Sequence, residues 1–103
     1  MVVQRRTFND AVLERLRSVA CVGAFGRLDG HFKRDRTFVP TKDPNTERWH
    51  CSTASGEYEL LVNGPKWYDT RTRHGGGGSI DLAMQLYGLD FVAAVNLLVS
   101  KGL

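Results

Sequence analysis

Four consecutive glycines, Gly75–Gly78, separate a stretch rich in aromatic and basic residues from a C-terminal apolar region. Glycine has no Cβ, so such a run reaches positive φ values and lets other groups approach the backbone closely. A helix begins directly after the run, because Ile80 and Asp81 open an apolar pattern of helical spacing. We therefore expect a crossing from strand to helix at the glycines.

Helical patterns stand at both ends of the chain. The first one, with Leu16 on its apolar side, begins at a cap supplied by Thr7 or Asn9 and ends at Gly23 and Gly26. Two more follow the glycine run. Their predicted caps and ends are Ser79, Gly88, Asp90 and Gly102.

The middle of the chain has the features of a β-region. Turn signals at Asp43-Pro44-Asn45, Ala54-Ser55-Gly56 and Asn63-Gly64 divide it into three or four strands, and the last of these favours a tight hairpin. A length of 103 residues is enough for one domain. The sequence thus predicts a single α+β domain over residues 1–103, a small antiparallel sheet flanked by one N-terminal and two C-terminal helices.

Charge and cysteine content limit the possible partners and compartments. The net charge of +3 permits an anionic partner, and positive residues are concentrated in the three clusters Arg5-Arg6, Lys33–Arg36 and Arg71–His74. Two cysteines are too few for a disulfide framework in so short a chain. Neither a signal peptide nor the roughly 20 apolar residues of a membrane span are recognisable. We expect a cytoplasmic protein with no membrane contact.

Aromatic and basic residues alternate just before the glycine run. On a strand, the neighbours Trp67 and Tyr68 point to opposite faces, so at most one of them is accessible to a ligand. Aromatic faces among basic side chains suit unstacked bases and phosphates. Two interpretations of the glycines stay open: a flexible crossing, or backbone amides that bind a phosphate together with His74.

Residues Lys66 to Leu98, KWYDTRTRHGGGGSIDLAMQLYGLDFVAAVNLL, resemble the end of the zinc-ribbon domain that begins bacterial DnaG-type primases. They are still more similar to the related domain ahead of the Toprim module in primase-like proteins of plasmids and other mobile elements. The resemblance implies a ribbon-like sheet followed by two helices, and recognition of template DNA in replication or priming. The matching features, in order, are Gly75–Gly78, Ile80-Asp81, Gly88, Phe91 and Ala94-Val95.

The chain departs from that family at the metal ligands. The family's second cysteine pair would fall on residues 69–73, which contain neither Cys nor His, and Cys51 is followed three residues later by Ala54 where the family has His. His50 and Cys51 are adjacent, so on a strand they would face opposite ways. We therefore expect no zinc and no other cofactor. An apolar core would hold the strands instead, from Trp49, Tyr58, Leu60, Val62 and Trp67.

The favoured function is that of a nucleic-acid-binding module, with single-stranded DNA as the expected partner. No catalytic set of side chains is recognisable, since Asp69 and Asp81 are the only acids near the basic cluster, so we predict that the domain is not an enzyme. The candidate binding residues are Arg48, Lys66, Trp67, Tyr68, Arg71, Arg73, His74, Gly75 and Gly76.

A second hypothesis from a different class stays open. The last helix ends in Leu97-Leu98-Val99 and is followed by Leu103, so it could offer an apolar face to another protein. The chain would then be an accessory subunit of a polymerase, primase or helicase without direct DNA contact. Packing in the chain's own core is the simpler explanation of the same residues.

Overall fold

The computed structural model describes residues 8–103, in which four helices surround one side of a five-stranded sheet. The elements, in chain order, are α1 (Asp10–Arg17), α2 (Cys21–Phe25), β1 (His31–Arg34), β2 (Glu47–Thr53), β3 (Gly56–Asn63), β4 (Lys66–Asp69), β5 (His74–Gly77), α3 (Ser79–Tyr87) and α4 (Phe91–Ser100).

The sheet is an antiparallel meander in which each strand pairs with the next one along the chain. Short turns make this order the simplest solution, since consecutive strands joined by tight turns must lie side by side. A hairpin forms where the Asn63-Gly64 signal predicted one, but the two-residue loop is shifted by one position. Asn63 is the last residue of β3 and pairs with Lys66, so Gly64 and Pro65 form the loop, and Gly64 has a positive φ of 57°.

All helices pack on the same face of the sheet. The strand residues on this face pack with helical residues in one core cluster; they include Cys51, Leu60, Val62 and Trp67. We call this the inner face. The opposite face, which we call the open face, contributes no residue to that cluster and is covered by no helix that the structure describes. The predicted apolar core is confirmed, because Trp49 and Tyr58 also pack against the cluster.

The α+β class with an antiparallel sheet is confirmed, but the sheet has five strands where three or four were predicted, and two helices precede it where one was predicted. One continuous N-terminal helix was expected as far as Gly23, but α1 ends at Arg17 and a separate α2 begins at Cys21. Ala20 is extended, and the Cys21 amide donates to the Gly64 carbonyl 2.8 Å away. The β3–β4 turn therefore fixes the chain where the helical pattern alone would let the helix continue.

Two predicted helix caps are confirmed and one is wrong. The side chains of Asn9 and Asp90 accept hydrogen bonds from the amides of Ala11 and Ala93. The alternative cap, Thr7, lies outside the described residues. Ser79 lies inside α3, and its hydroxyl donates to the Leu16 carbonyl at 2.6 Å. The serine therefore joins α3 to α1.

No single helix among the described residues is long and apolar enough to cross a membrane. The helices α3 and α4 reach such a length only together, as a pair bent by 105°.

Candidate nucleic-acid interface

Three of the predicted binding residues form a row across the open face. Arg48 pairs with Leu61, Leu61 with Tyr68, and Tyr68 with Gly75, so one register line crosses β2, β3, β4 and β5. Directly opposite residues in an antiparallel sheet lie on the same face. Lys66 is two residues before Tyr68 on β4 and shares this face.

Tyr68 is the exposed aromatic residue of this row. Tyr68 is 42 % exposed, whereas its neighbour Trp67 on the same strand is 4 % exposed. Gly75 and Gly77 of β5 flank it without side chains. No side chain of β5 therefore covers the ring at these two positions, and Lys66 is exposed beside it.

Trp67, His74 and Gly76 lie on the other face, so the structure does not bring these three predicted binding residues together with Tyr68. Trp67 is only 4 % exposed and packs in the core, which leaves Tyr68 as the accessible member of the aromatic pair. The His74 ring meets the Trp67 ring edge-on at 5.7 Å. Alternation along β4 and β5 accounts for this separation, because Trp67 pairs with Gly76 and Asp69 with His74.

The glycines form an edge strand, so the expectation of a flexible crossing is wrong for Gly75, Gly76 and Gly77. A phosphate cradle is not formed there either. The Gly77 amide donates to the Asp81 carboxylate at 3.3 Å, and that negative charge would repel a phosphate.

The start of α3 is also occupied by protein. Gly78 has φ 90°, and a Cβ there would lie 2.8 Å from backbone atoms of Arg17. Together with the Ser79 hydroxyl bond to Leu16, this packing closes the N-terminus of α3 against the end of α1. The one glycine of the run with a positive φ therefore serves packing between helices.

Asp69 shapes the β4–β5 hairpin that carries the exposed arginines. Its side chain is fully buried, and one carboxylate oxygen accepts hydrogen bonds from the amides of Arg71 at 2.9 Å and Thr72 at 3.3 Å. The other oxygen accepts from the Gln85 amide group at 2.9 Å, and the same amide group reaches the Thr72 hydroxyl at 3.3 Å. These hydrogen bonds fix the conformation of residues 69–72. The resemblance to primase domains would place a metal-ligand pair in this segment.

Arg71 and Arg73 lie in this hairpin, and their side chains are exposed to solvent. Among the residues that the structure describes, no carboxylate forms an ion pair with Lys66, Arg71 or Arg73. Arg73 also has φ 59°, the only positive φ of a non-glycine residue among the described ones. Such a conformation costs roughly 1–2 kcal/mol for a residue with a Cβ, so glycine would be preferred there on backbone grounds.

Arg48 differs from the other predicted cations because its charge is already neutralised. Its Nε and Nη2 atoms donate to one carboxylate oxygen of Asp35 at 2.9 and 2.7 Å, and its guanidinium lies 5.1 Å from the Phe38 ring centre. Hydrogen bonds from the Thr37 hydroxyl, Arg48 and His50 hold the pKa of Asp35 well below its usual range. The loop that follows β1 therefore pairs the charge of Arg48 and covers part of its side chain, which stays 31 % exposed.

Three open-face residues were not predicted from the sequence. His31 and Lys33 of β1 and His50 of β2 share this face, since His31 pairs with Ser52 and Lys33 with His50. Together with Arg71 and the acidic Glu57 they line an open hollow of about 200 Å³. The segment that contains Lys33 was assigned to the β-region from the sequence, but the pairing of β1 with β2, which brings Lys33 to this face, depends on residues far along the chain.

The cysteines are buried thiols and lie apart from the open face. Cys51 and His50 do point to opposite faces, as expected. Burial raises the pKa of both the Cys21 and Cys51 thiols to about 12, so neither is a reactive thiolate near neutral pH. Among residues 8–103 no three His, Cys, Asp or Glu side chains are grouped so that they could hold a metal ion.

Comparisons with protein-family models, curated proteins and solved structures find no match to this chain.

Proposed function

We propose that this domain binds single-stranded nucleic acid on the open face of its sheet, with single-stranded DNA as the expected ligand. The observation that carries the proposal is an exposed tyrosine beside unpaired cations on a face that no described helix covers. Tyr68 is not part of the core cluster, so its position on the open face is not explained by packing in the core.

The chemistry of the face fits such a ligand. An unpaired base can stack on Tyr68, and stacking contributes about 1–3 kcal/mol per base. Lys66, Arg71 and Arg73 carry the exposed positive charges that would neutralise neighbouring phosphates. Base pairs in a duplex do not expose their faces, so an aromatic platform favours a single strand.

The biological setting rests on the resemblance to primase zinc-ribbon domains. On that basis we propose a non-catalytic role in replication or priming of a mobile element, with any polymerising chemistry in another domain or a partner protein. A cytoplasmic location and the absence of a resident zinc ion belong to the same proposal.

A direct test is fluorescence anisotropy with labelled oligodeoxythymidylate and its duplex, at salt concentrations between about 50 and 200 mM. We expect salt-sensitive binding that prefers the single strand. Tyr68→Ala should weaken binding by roughly 5- to 150-fold and Tyr68→Phe much less, because phenylalanine keeps the stacking ring. Arg17→Ala on α1, behind the sheet, is the matched control for general loss of charge.

The accessory-subunit hypothesis has one structural observation in its favour. β5 is an edge strand of glycines, and alternation of the ladder leaves backbone groups of Gly75 pointing away from β4. A strand from another protein could pair there. Only part of the predicted apolar face of the last helix is accessible, because Leu98 is fully buried in the chain's own core while Val99 is 47 % exposed. Absence of binding to any oligonucleotide at low salt, with self-association on sizing, would favour this hypothesis.

A further inference from the structure

A second hollow, of about 670 Å³, lies beside β1 at the edge of the sheet away from β5. Two aromatic side chains, Phe32 and Trp49, and the basic residues Lys33, Arg34, Arg36 and His50 line it. Lys33 and His50 also belong to the open face, so this hollow continues the proposed binding surface around the edge of the sheet.

The aromatic side of the hollow is rigidly supported. Phe25, only 5 % exposed, stacks on Phe32 at a centroid distance of 4.8 Å and meets Trp49 at 5.1 Å. The Trp49 indole nitrogen donates to the Glu47 carboxylate at 2.9 Å, which fixes the ring orientation. Phe32 and Trp49 themselves are only partly buried. Because these rings are already ordered, binding a flat ligand would cost little side-chain entropy.

The charges around the hollow favour an anion. Arg34 pairs with Glu47 at 3.6 Å, and the Asp35 carboxylate is held by Arg48 and lies 3.2 Å from His50. Asp35 and Glu47 are thus already engaged, and a third carboxylate, that of Glu59, lies 3.9 Å from the other ring nitrogen of His50. For Lys33 and Arg36, the described part of the chain supplies no ion-pair partner. Flat apolar rings next to unpaired cations match a nucleobase joined to a phosphate.

We propose that this hollow is a nucleotide-binding subsite, in which a base stacks on Trp49 and an adjoining phosphate contacts Lys33 and Arg36. The inference deepens the proposed function and rests on it for the nature of the ligand. It extends the path of the strand from Tyr68 across the open face to β1. An acidic peptide would satisfy the cations but would leave the aromatic rings without a stacking partner.

Tryptophan fluorescence tests the subsite directly, because the chain has two tryptophans and Trp67 is buried. Titration with thymidine monophosphate, and separately with oligodeoxythymidylate, should quench the emission through Trp49. In Trp49→Phe the quenching should disappear, while anisotropy still reports oligonucleotide binding because the new ring still stacks. Trp49→Ala should weaken oligonucleotide binding by roughly 5- to 150-fold.

Charge variants provide a second test that does not depend on whether Trp49→Ala folds. Lys33→Gln with Arg36→Gln, both at exposed positions, should weaken the quenching by thymidine monophosphate, whereas the Arg17→Gln control should leave it unchanged. An oligoglutamate peptide should not quench. Equal quenching by that peptide would overturn the nucleotide assignment in favour of a protein ligand.

The outcomes separate the subsite from the proposed function. Oligonucleotide binding that depends on Tyr68 but leaves Trp49 emission and the Lys33/Arg36 variant unaffected would overturn the subsite alone. Quenching of Trp49 by nucleotides without any effect of Tyr68→Ala would support the subsite and contradict the role of Tyr68. No response to either ligand at low salt would overturn both.

Discussion

Tyr68 and Gly75 lie directly opposite each other on the open face, and a Cβ on Gly75 would stand 3.2 Å from Cδ1 of the tyrosine ring. The ring therefore leans over a strand position that has no side chain. Aromatic rings over edge glycines also support sheets. Tyr68 thus has a structural contact on one side and an exposed surface on which a base can stack.

Substitutions in the glycine run should have graded effects on stability. A Cβ on Gly76 would lie 2.8 Å from Cζ2 of the buried Trp67 ring, so Gly76→Ala should lower the free energy of unfolding by about 1–3 kcal/mol. A Cβ on Gly77 would have no atom within 4 Å, so Gly77→Ala should change the free energy of unfolding by less than about 0.5 kcal/mol. Urea unfolding followed by circular dichroism measures both. Equal midpoints for the two variants would contradict the packing described here.

Arg73 should show opposite effects on stability and binding. Arg73→Gly removes the backbone cost of φ 59° and should raise the free energy of unfolding by about 0.5–1 kcal/mol. The same change removes an exposed cation, so oligonucleotide binding should weaken. With Arg71→Ala added, the slope of log affinity against log salt should fall by about 1.4, two phosphate contacts. A slope equal to that of the wild type would remove both arginines from the interface.

Asp35 should act as an internal competitor of the ligand. Asp35→Asn releases Arg48, which the carboxylate now holds at 2.7 Å, so affinity for single strands and the salt slope should both increase. The asparagine oxygen can still accept from the Thr37 amide, which limits the loss of stability. Anisotropy titration at two salt concentrations measures the change, with Asp29→Asn at the Lys101 ion pair as the control. Unchanged affinity would show that Arg48 stays covered by Phe38.

The buried thiols should make the fold sensitive to high pH. Burial raises the pKa of Cys51 from an ordinary 9.0 to about 12, so between these values the unfolded chain loses this proton and the folded chain keeps it. Stability should therefore be unaffected by this group below pH 9 and should fall as the pH rises from 9 towards 12. Cys21 and Tyr87 act in the same direction.

Urea midpoints near neutral pH and at two points above pH 9 measure this dependence. Cys51→Ala should reduce the steepness of the fall, even though the variant itself starts from a lower stability. If the variant and the wild type fall in parallel, the thiol is not the source of the pH dependence.

Much of the fold could be predicted from local patterns in the sequence. The apolar alternation of Leu60 and Val62 and the Asn63-Gly64 turn were sufficient to predict a hairpin, because strand period and turn chemistry act over a few residues. The caps Asn9 and Asp90 were readable for the same reason. What failed were features set by distant partners: the break before Cys21 depends on Gly64, and the strand formed by Gly75–Gly77 depends on pairing with β4.

The candidate site divides in the same way. The sequence alone determined that at most one of Trp67 and Tyr68 would be accessible, since neighbours on a strand face opposite ways, and it identified Arg71 and Arg73 as candidate binding residues. Only the tertiary structure decided that Tyr68 is the accessible one, that Arg48 is neutralised by Asp35, and that β1 adds Lys33 to the same face. Which face is buried depends on where the helices pack, and packing is a property of the whole chain rather than of any short segment.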